Sequence, residues 1–435
     1  MKNKVQDFTK LYIYVVGFGI IINFLIFQLG LIENSYFICV EIIKNNFEVF
    51  NSSIALNYPQ SCDQGNYYEG FFSFNEIINK NHPYQTRPIY IFAVYVVYKT
   101  LSLFSTENIL LMHLAVFLIH CFILSISIKL FTLIKKIKPQ DLLLVIPIAI
   151  MNPIFKWGLF TPSNQTLTFL EIIYCLYLIK HVDSINFKKQ SLILGILILA
   201  HRPFALCYFL MIFWHNVVIN KFKNISIIDE IKNALIFISP WIAFRGYIYI
   251  NGYIPYDDLA RTWGQFKWIF DYIRGLISYE SEWHCVTMPE NFICYFSDSL
   301  DTLLYLSIPL IGALIYFVQN KKNFLDYKSE LLIIFLMFYS FYSLIGWYPP
   351  LRFNLYSISN TLCLFLIISI VSSNRVLSKN IYILGNIIYL FGLNHWNAPE
   401  VLIPNLYIIL GSIFITLSLI YPERLIKKLI PNSVK

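Results

Sequence analysis

The chain has 435 residues, of which 57% are hydrophobic and only 13% charged, with a formal net charge of +8. That balance is too apolar for a soluble globular chain of this length and indicates a polytopic membrane protein. Its positive charges sit in short connections between apolar runs rather than in one basic domain, which excludes nucleic acid as a partner and makes orientation of the chain their task.

A helix needs about 20 predominantly apolar residues to cross about 30 Å of hydrocarbon. The first such run is Leu11 to Ile32, preceded by the basic "MKNKVQDFTK". No small-residue cleavage site follows it, so it is expected to remain as an anchor with a cytoplasmic N-terminus. Residues 33–107 then form a long outer loop. Within it "SCDQGNYYEG" sets Asp63 and Glu69 around Tyr67 and Tyr68, and "FFSFNEIINK" follows with Phe71, Phe72, Phe74, Ile77 and Ile78 at helical spacing. The spacing predicts a juxtamembrane amphipathic helix that pins the loop to the surface. A carboxylate so held, Asp63, suits a general base toward a lipid-borne substrate; capping a helix or turn is the competing use of an Asp there.

Charge parity decides the next element. If Pro88 to Phe104 crossed the membrane, Lys135, Lys136 and Lys138 would fall on the outer face, against the cytoplasmic preference of Lys and Arg. This segment is therefore expected to be embedded without crossing. Asn108 to Phe131 then leads in, Leu142 to Phe160 out, and Leu167 to Lys180 in, ahead of Lys188 and Lys189. The run "SLILGILILAHRPFALCYFLMIFWHN" would be on the order of 40 Å long as one helix. Two short helices meeting at His201-Arg202-Pro203 fit better, with Pro203 as the break.

Ala234 to Ile250 leads out to a second large outer segment, 251–301, which holds eight acids against three bases. Leu303 to Val318, Leu331 to Ile345, Leu355 to Val371, Ile381 to Phe391 and Val401 to Ile420 complete the list and return the C-terminus to the cytoplasm. The expected fold is all-α: one integral membrane domain, 1–435, built as a polytopic bundle of about 11 to 13 transmembrane helices.

The cysteines add little. Cys39, Cys62, Cys285 and Cys294 fall in or beside outer segments, where Cys285 and Cys294 either bridge or stay as thiols. Cys121, Cys175, Cys207 and Cys363 fall in spans, where a thiol acts as a small apolar group. No Cys-x-x-Cys or His-x-x-x-His spacing supports a structural zinc site.

Ionisable groups inside apolar runs carry more. A charge at mid-bilayer costs on the order of 3 kcal/mol, so such groups default to functional hypotheses. His201 and Arg202 are of this kind: Arg202 either grips a phosphate or satisfies carbonyls freed at the Pro203 break. Arg87, Arg245 and Arg352 project to the same outer level. Singly each is explained by snorkelling; together the four point to an anionic, phosphorylated ligand.

The order of "DQGNYYEG", "HPYQTRPIYIFAVYVVYKTL", "MNPIFKWGLF", "LILAHRPFAL" and "YPPLRFN" resembles the GT-C superfamily of integral membrane glycosyltransferases. The likeness is greatest to bacterial branches in which an Asp followed by a Tyr precedes an Arg-Pro-rich helix, and it covers roughly Leu11 to Ser373. The resemblance implies a multi-pass enzyme of the bacterial cytoplasmic membrane that takes a sugar from a polyprenyl-phosphate carrier. It would pass that sugar, with inversion, to a glycan or lipid acceptor on the outer face. Asp63 matches the family's general base. Arg87, Arg202 and Arg352 fall at family-like positions for the lipid phosphate, with His201 as a neighbour and Tyr67 and Tyr68 placed to stack on sugar or lipid; Glu69, as a partner of Asp63, and Arg245, at the same outer level, are further candidates for substrate binding.

The chain also departs from the family's pattern. No Asp-x-Asp occurs in the first loop, and "FTPSNQTL" offers no acid before Glu171. A metal-free mechanism is therefore preferred, with no cofactor beyond the lipid-linked donor; a divalent metal has no support in the residues. An outer-face polysaccharide polymerase, a lipid-linked oligosaccharide flippase and a catalytically silent lipid-binding member are the rival readings. A folded outer loop and the lack of an internal repeat weigh against the flippase.

Overall fold

A computed structural model describes residues 2–25, 41–49, 52–60, 64–79, 83–104, 108–135, 139–151, 153–164, 166–221, 226–256, 376–393 and 406–420, with isolated positions between 308 and 341. The described part is mostly helical, in keeping with the expected class. α1 is Lys2–Asn23, and the segment before the next long helix contributes α2 (Gln64–Phe72) and α3 (Phe74–Asn79). Ahead of α2 stands something the helical reading did not anticipate, an antiparallel hairpin of β1 (Glu41–Val49) and β2 (Ser52–Gln60) in register from Glu41↔Gln60 to Val49↔Ser52.

α4 is Pro88–Leu101. Its 14 residues span about 21 Å. α5 is Asn108–Lys135. Within it Ile109–Ile134 is, among the described residues, the one stretch long and apolar enough by length and composition to cross a bilayer. Leu142 to Phe160, expected as one helix, is divided into α6 (Pro139–Met151) and α7 (Pro153–Gly158). Pro153 supplies the cause, since it cannot donate into the preceding turn and sits well at a helix start.

α8 is Thr166–Lys180, and it is followed by the expected pair of short helices, α9 (Phe187–Leu197) and α10 (Phe204–Phe213). Asn186 caps α9 by accepting from Lys189 N at 3.1 Å. The turn between the two helices carries His201, Arg202 and Pro203. α10 runs on into a π-helical turn, Trp214–Ile219.

α11 is Ile227–Ile250, capped by Ser226 with Asp229 and Glu230 in its first turn. It ends in a Schellman arrangement: Gly252 at φ +78 donates to Tyr249 O, and Tyr253 N donates to Ile248 O. The chain that emerges docks on the turn before α4, where Gln85 accepts from Tyr256 N at 2.6 Å and donates to Ile78 O. The chain just after α11 and the turn before α4 thus lie together, at one end of the bundle.

α12 (Val376–Gly392) and α13 (Leu406–Ile420) close the described chain. They run antiparallel, because Gly385 meets Ile415 and Gly411 meets Tyr389. α5 forms the centre, packed against α1, α4 and α8, while α9 lies on α11. Large apolar side chains also point outward: on α11, Ile228, Ile231, Leu235, Ile238 and Ile242 form one exposed stripe at helical spacing, and Leu235 is 60% exposed. Ile13, Tyr14, Ile20 and Ile21 do the same on α1.

Candidate functional site

Pro88 at the first position of α4 leaves Arg87 just ahead of the helix, with no side-chain cap. The exposed N–H of Ile89 is instead satisfied by Leu199 O at 3.2 Å, so the start of α4 abuts the α9–α10 turn. Arg87 therefore stands where three pieces of chain meet: α2, the turn before α8 and the α9–α10 turn.

Its Nη1 donates to Tyr67 Oη, and its guanidinium lies 5.3 Å from the centre of the Tyr84 ring. Tyr67 is almost fully buried, boxed by Tyr84, Phe71 and Tyr90. It donates to Asn164 Oδ1 at 3.1 Å. Asn164 Nδ2 in turn donates to Ala200 O at 3.2 Å and to His201 Nδ1 at 3.1 Å. An accepting Nδ1 leaves the imidazole proton on Nε2. That nitrogen lies 3.1 Å from Thr168 Oγ1 and 3.5 Å from Glu171 Oε2. Glu171 is fully buried, and its main-chain carbonyl accepts from Cys207 Sγ, which ties α10 to α8.

Two histidines of α5 brace the same end. His113 and His120 are seven residues apart and so share a helix face. His113 Nδ1 donates to Phe160 O at 2.7 Å, and its Nε2 accepts from Tyr68 Oη at 3.0 Å. His120 Nδ1 lies against the carbonyls of Gly158 and Leu159, while Nε2 meets Tyr90 Oη at 2.9 Å beside Ser163 O. The irregular chain between α7 and α8 thus has its carbonyls satisfied by side chains, as an apolar surrounding demands. On the far side of α7, the buried Lys156 Nζ caps the C-terminal end of α12 through Leu390 O, Phe391 O and Leu393 O.

Of the residues singled out in the sequence, Tyr67, Arg87 and His201 are joined in one network, and Tyr68 is held beside it. Arg202, half-buried in the α9–α10 turn, is close enough to His201 to act on it electrostatically, as is Arg87. Glu69 faces outward from α2. Arg245 is not brought in by any contact among the described residues; its guanidinium stacks 4.8 Å over Trp241 of its own helix, the interfacial use of an Arg. Asp63 and Arg352 lie outside the described residues, as do Cys285 and Cys294.

Asn164, Glu171, His113 and His120 were missed as members of the site. Their signal was present, since each is a polar or ionisable group in or beside a long apolar run; their partners, 30 to 97 residues away, were not legible. Among the described residues no group of three or more His, Cys, Asp or Glu side chains gathers as metal ligands would. Compared with family models, curated proteins and solved structures, the chain matches none.

Proposed function

We propose that the chain is a multi-pass membrane glycosyltransferase that moves a sugar from a polyprenyl-phosphate carrier to an acceptor on the outer face of a bacterial cytoplasmic membrane. One observation carries the reading: Tyr67, Arg87 and His201 come from three separate motifs of the GT-C resemblance, yet they belong to a single hydrogen-bonded cluster. The exposed aliphatic stripes of α1 and α11 support the membrane setting, because water would make such surfaces sticky whereas acyl chains suit them. A bundle of about 11 to 13 spans is part of the same proposal.

In this mechanism Asp63, the residue ahead of α2 in the sequence, takes the proton of an acceptor hydroxyl. The acceptor oxygen attacks the anomeric carbon from the face opposite the phosphate, and the sugar–phosphate C–O bond breaks with inversion. The bonding pair leaves on the lipid phosphate, whose charge is met by Arg87, Arg202 and Arg352. No metal is assigned a step.

The test is transfer by purified protein in bilayers, assayed with a panel of polyprenyl-phosphate sugars. Asp63→Asn is expected to lower turnover about 100-fold or more. Undiminished transfer in that variant would remove Asp63 from the mechanism. Translocation of long lipid-linked oligosaccharides without any transfer would replace the enzyme with a flippase.

A further inference from the structure

The two ends of the buried network differ in kind. A guanidinium only donates hydrogen bonds, and an ionised carboxylate only accepts them. Between Arg87 and Glu171 stand Tyr67, Asn164 and His201, each able to do both. The Asn164 amide cannot be turned over, because its oxygen would then face the Ala200 carbonyl now receiving a bond from Nδ2. With that amide fixed, every link points the same way: Arg87 to Tyr67, Tyr67 to Asn164, Asn164 to His201, and His201 through Nε2 to Thr168 at 3.1 Å, with Glu171 Oε2 3.5 Å from the same nitrogen. Bonds aligned head to tail polarise one another, the more so in a low-dielectric interior.

We propose that this one-way relay presents Arg87 in a single orientation to the lipid phosphate, and that Asn164, His201 and the buried Glu171 are positioning residues for it. The assignment rests on the glycosyltransferase reading only through the phosphate that Arg87 receives. Tyr67 fixes one edge of the guanidinium, and the Tyr84 ring lies under its face. Glu171 holds the donor order that keeps the lone pairs of Tyr67 Oη turned toward Arg87. A guanidinium prepared in this way loses less freedom when it binds a phosphate oxygen.

The experiment cuts the relay near each end, with Tyr67→Phe and with Glu171→Leu, which removes the accepting oxygen that a Gln would keep, and combines them. The readout is binding of a sugar-free polyprenyl monophosphate to protein in bilayers, alongside transfer, with thermal unfolding to establish folding. Each single change is expected to weaken binding about tenfold. The double variant should also lose about tenfold rather than about a hundredfold, because a chain cut once is already cut. Residues this far apart with merely local structural roles would give losses that multiply. Multiplying losses, or wild-type binding by Glu171→Leu, would overturn the relay and leave the glycosyltransferase reading standing. If Glu171→Leu does not fold, His201→Leu, two links away from Tyr67, paired with Tyr67→Phe poses the same test. Failure of the wild type both to bind polyprenyl monophosphate and to transfer sugar would remove the function and, with it, the phosphate this relay serves.

Discussion

Around Arg87 the helices meet through polar side chains that reach from one element to the next, whereas α12 and α13 meet with almost nothing between them. In the first region Tyr67, Asn164, His201, His113 and His120 link α2, α5, α8 and the irregular chain beside them. In the second, a Cβ built on Gly411 would lie 2.5 Å from Tyr389 N, and one on Gly385 2.8 Å from Ile415 N. The contrast follows from what each region must satisfy. Turns and helix ends present main-chain carbonyls that cost several kcal/mol if left bare in apolar surroundings. Regular helices have already used theirs, so close approach and dispersion are enough. Lys156 joins the two solutions by placing one cation of α7 on three carbonyls at the end of α12.

The comparison can be broken most sharply at that joint. Lys156→Met keeps the bulk and strips a buried set of carbonyls of its donor, so a loss of about 3 kcal/mol is expected in thermal unfolding of the bilayer- or detergent-embedded protein. Wild-type stability there would mean that the two regions hold together without the cation. Gly411→Ala comes next. Its methyl group meets backbone rather than a movable side chain, and about 2 kcal/mol should be lost as α12 is pushed away. The smallest effect has the opposite sign. Gly17 in α1 has nothing within 4 Å of where a Cβ would go, so Gly17→Ala should gain about 0.5 kcal/mol from helix propensity alone. A loss at Gly17 would show that this face of α1 is covered by another element.

The parts of the fold legible in the sequence were those governed by local chemistry. Pro203 between two apolar runs announced the α9–α10 turn, and the apolar spacing of Phe71 to Ile78 announced a helix where α3 lies. Pro153 carried an equally local signal and was passed over because Leu142 to Phe160 has the length of one span. The hairpin at 41–60 was harder to see: "EIIKNNFEV" lacks a clean alternation of apolar and polar residues, and strand pairing depends on a partner segment. The site divides along the same line. Arg87, His201 and Tyr67 stand out because their residue types are conspicuous where they occur. Asn164 and Glu171 acquire their roles only from partners that folding brings to them, and "FTPSNQTL" reads as an ordinary polar turn until His201 is seen beside it.

The Lys156 bridge spans 234 residues to Leu390. At roughly 5–20 residues per second, on the order of ten to fifty seconds of synthesis separate the appearance of this ammonium group from that of its acceptors. Through that interval Lys156 lacks the carbonyls that it bonds in the folded chain, so this joint between α7 and α12 closes only after α12 has been made, which makes α12 a late-acting clasp in biogenesis.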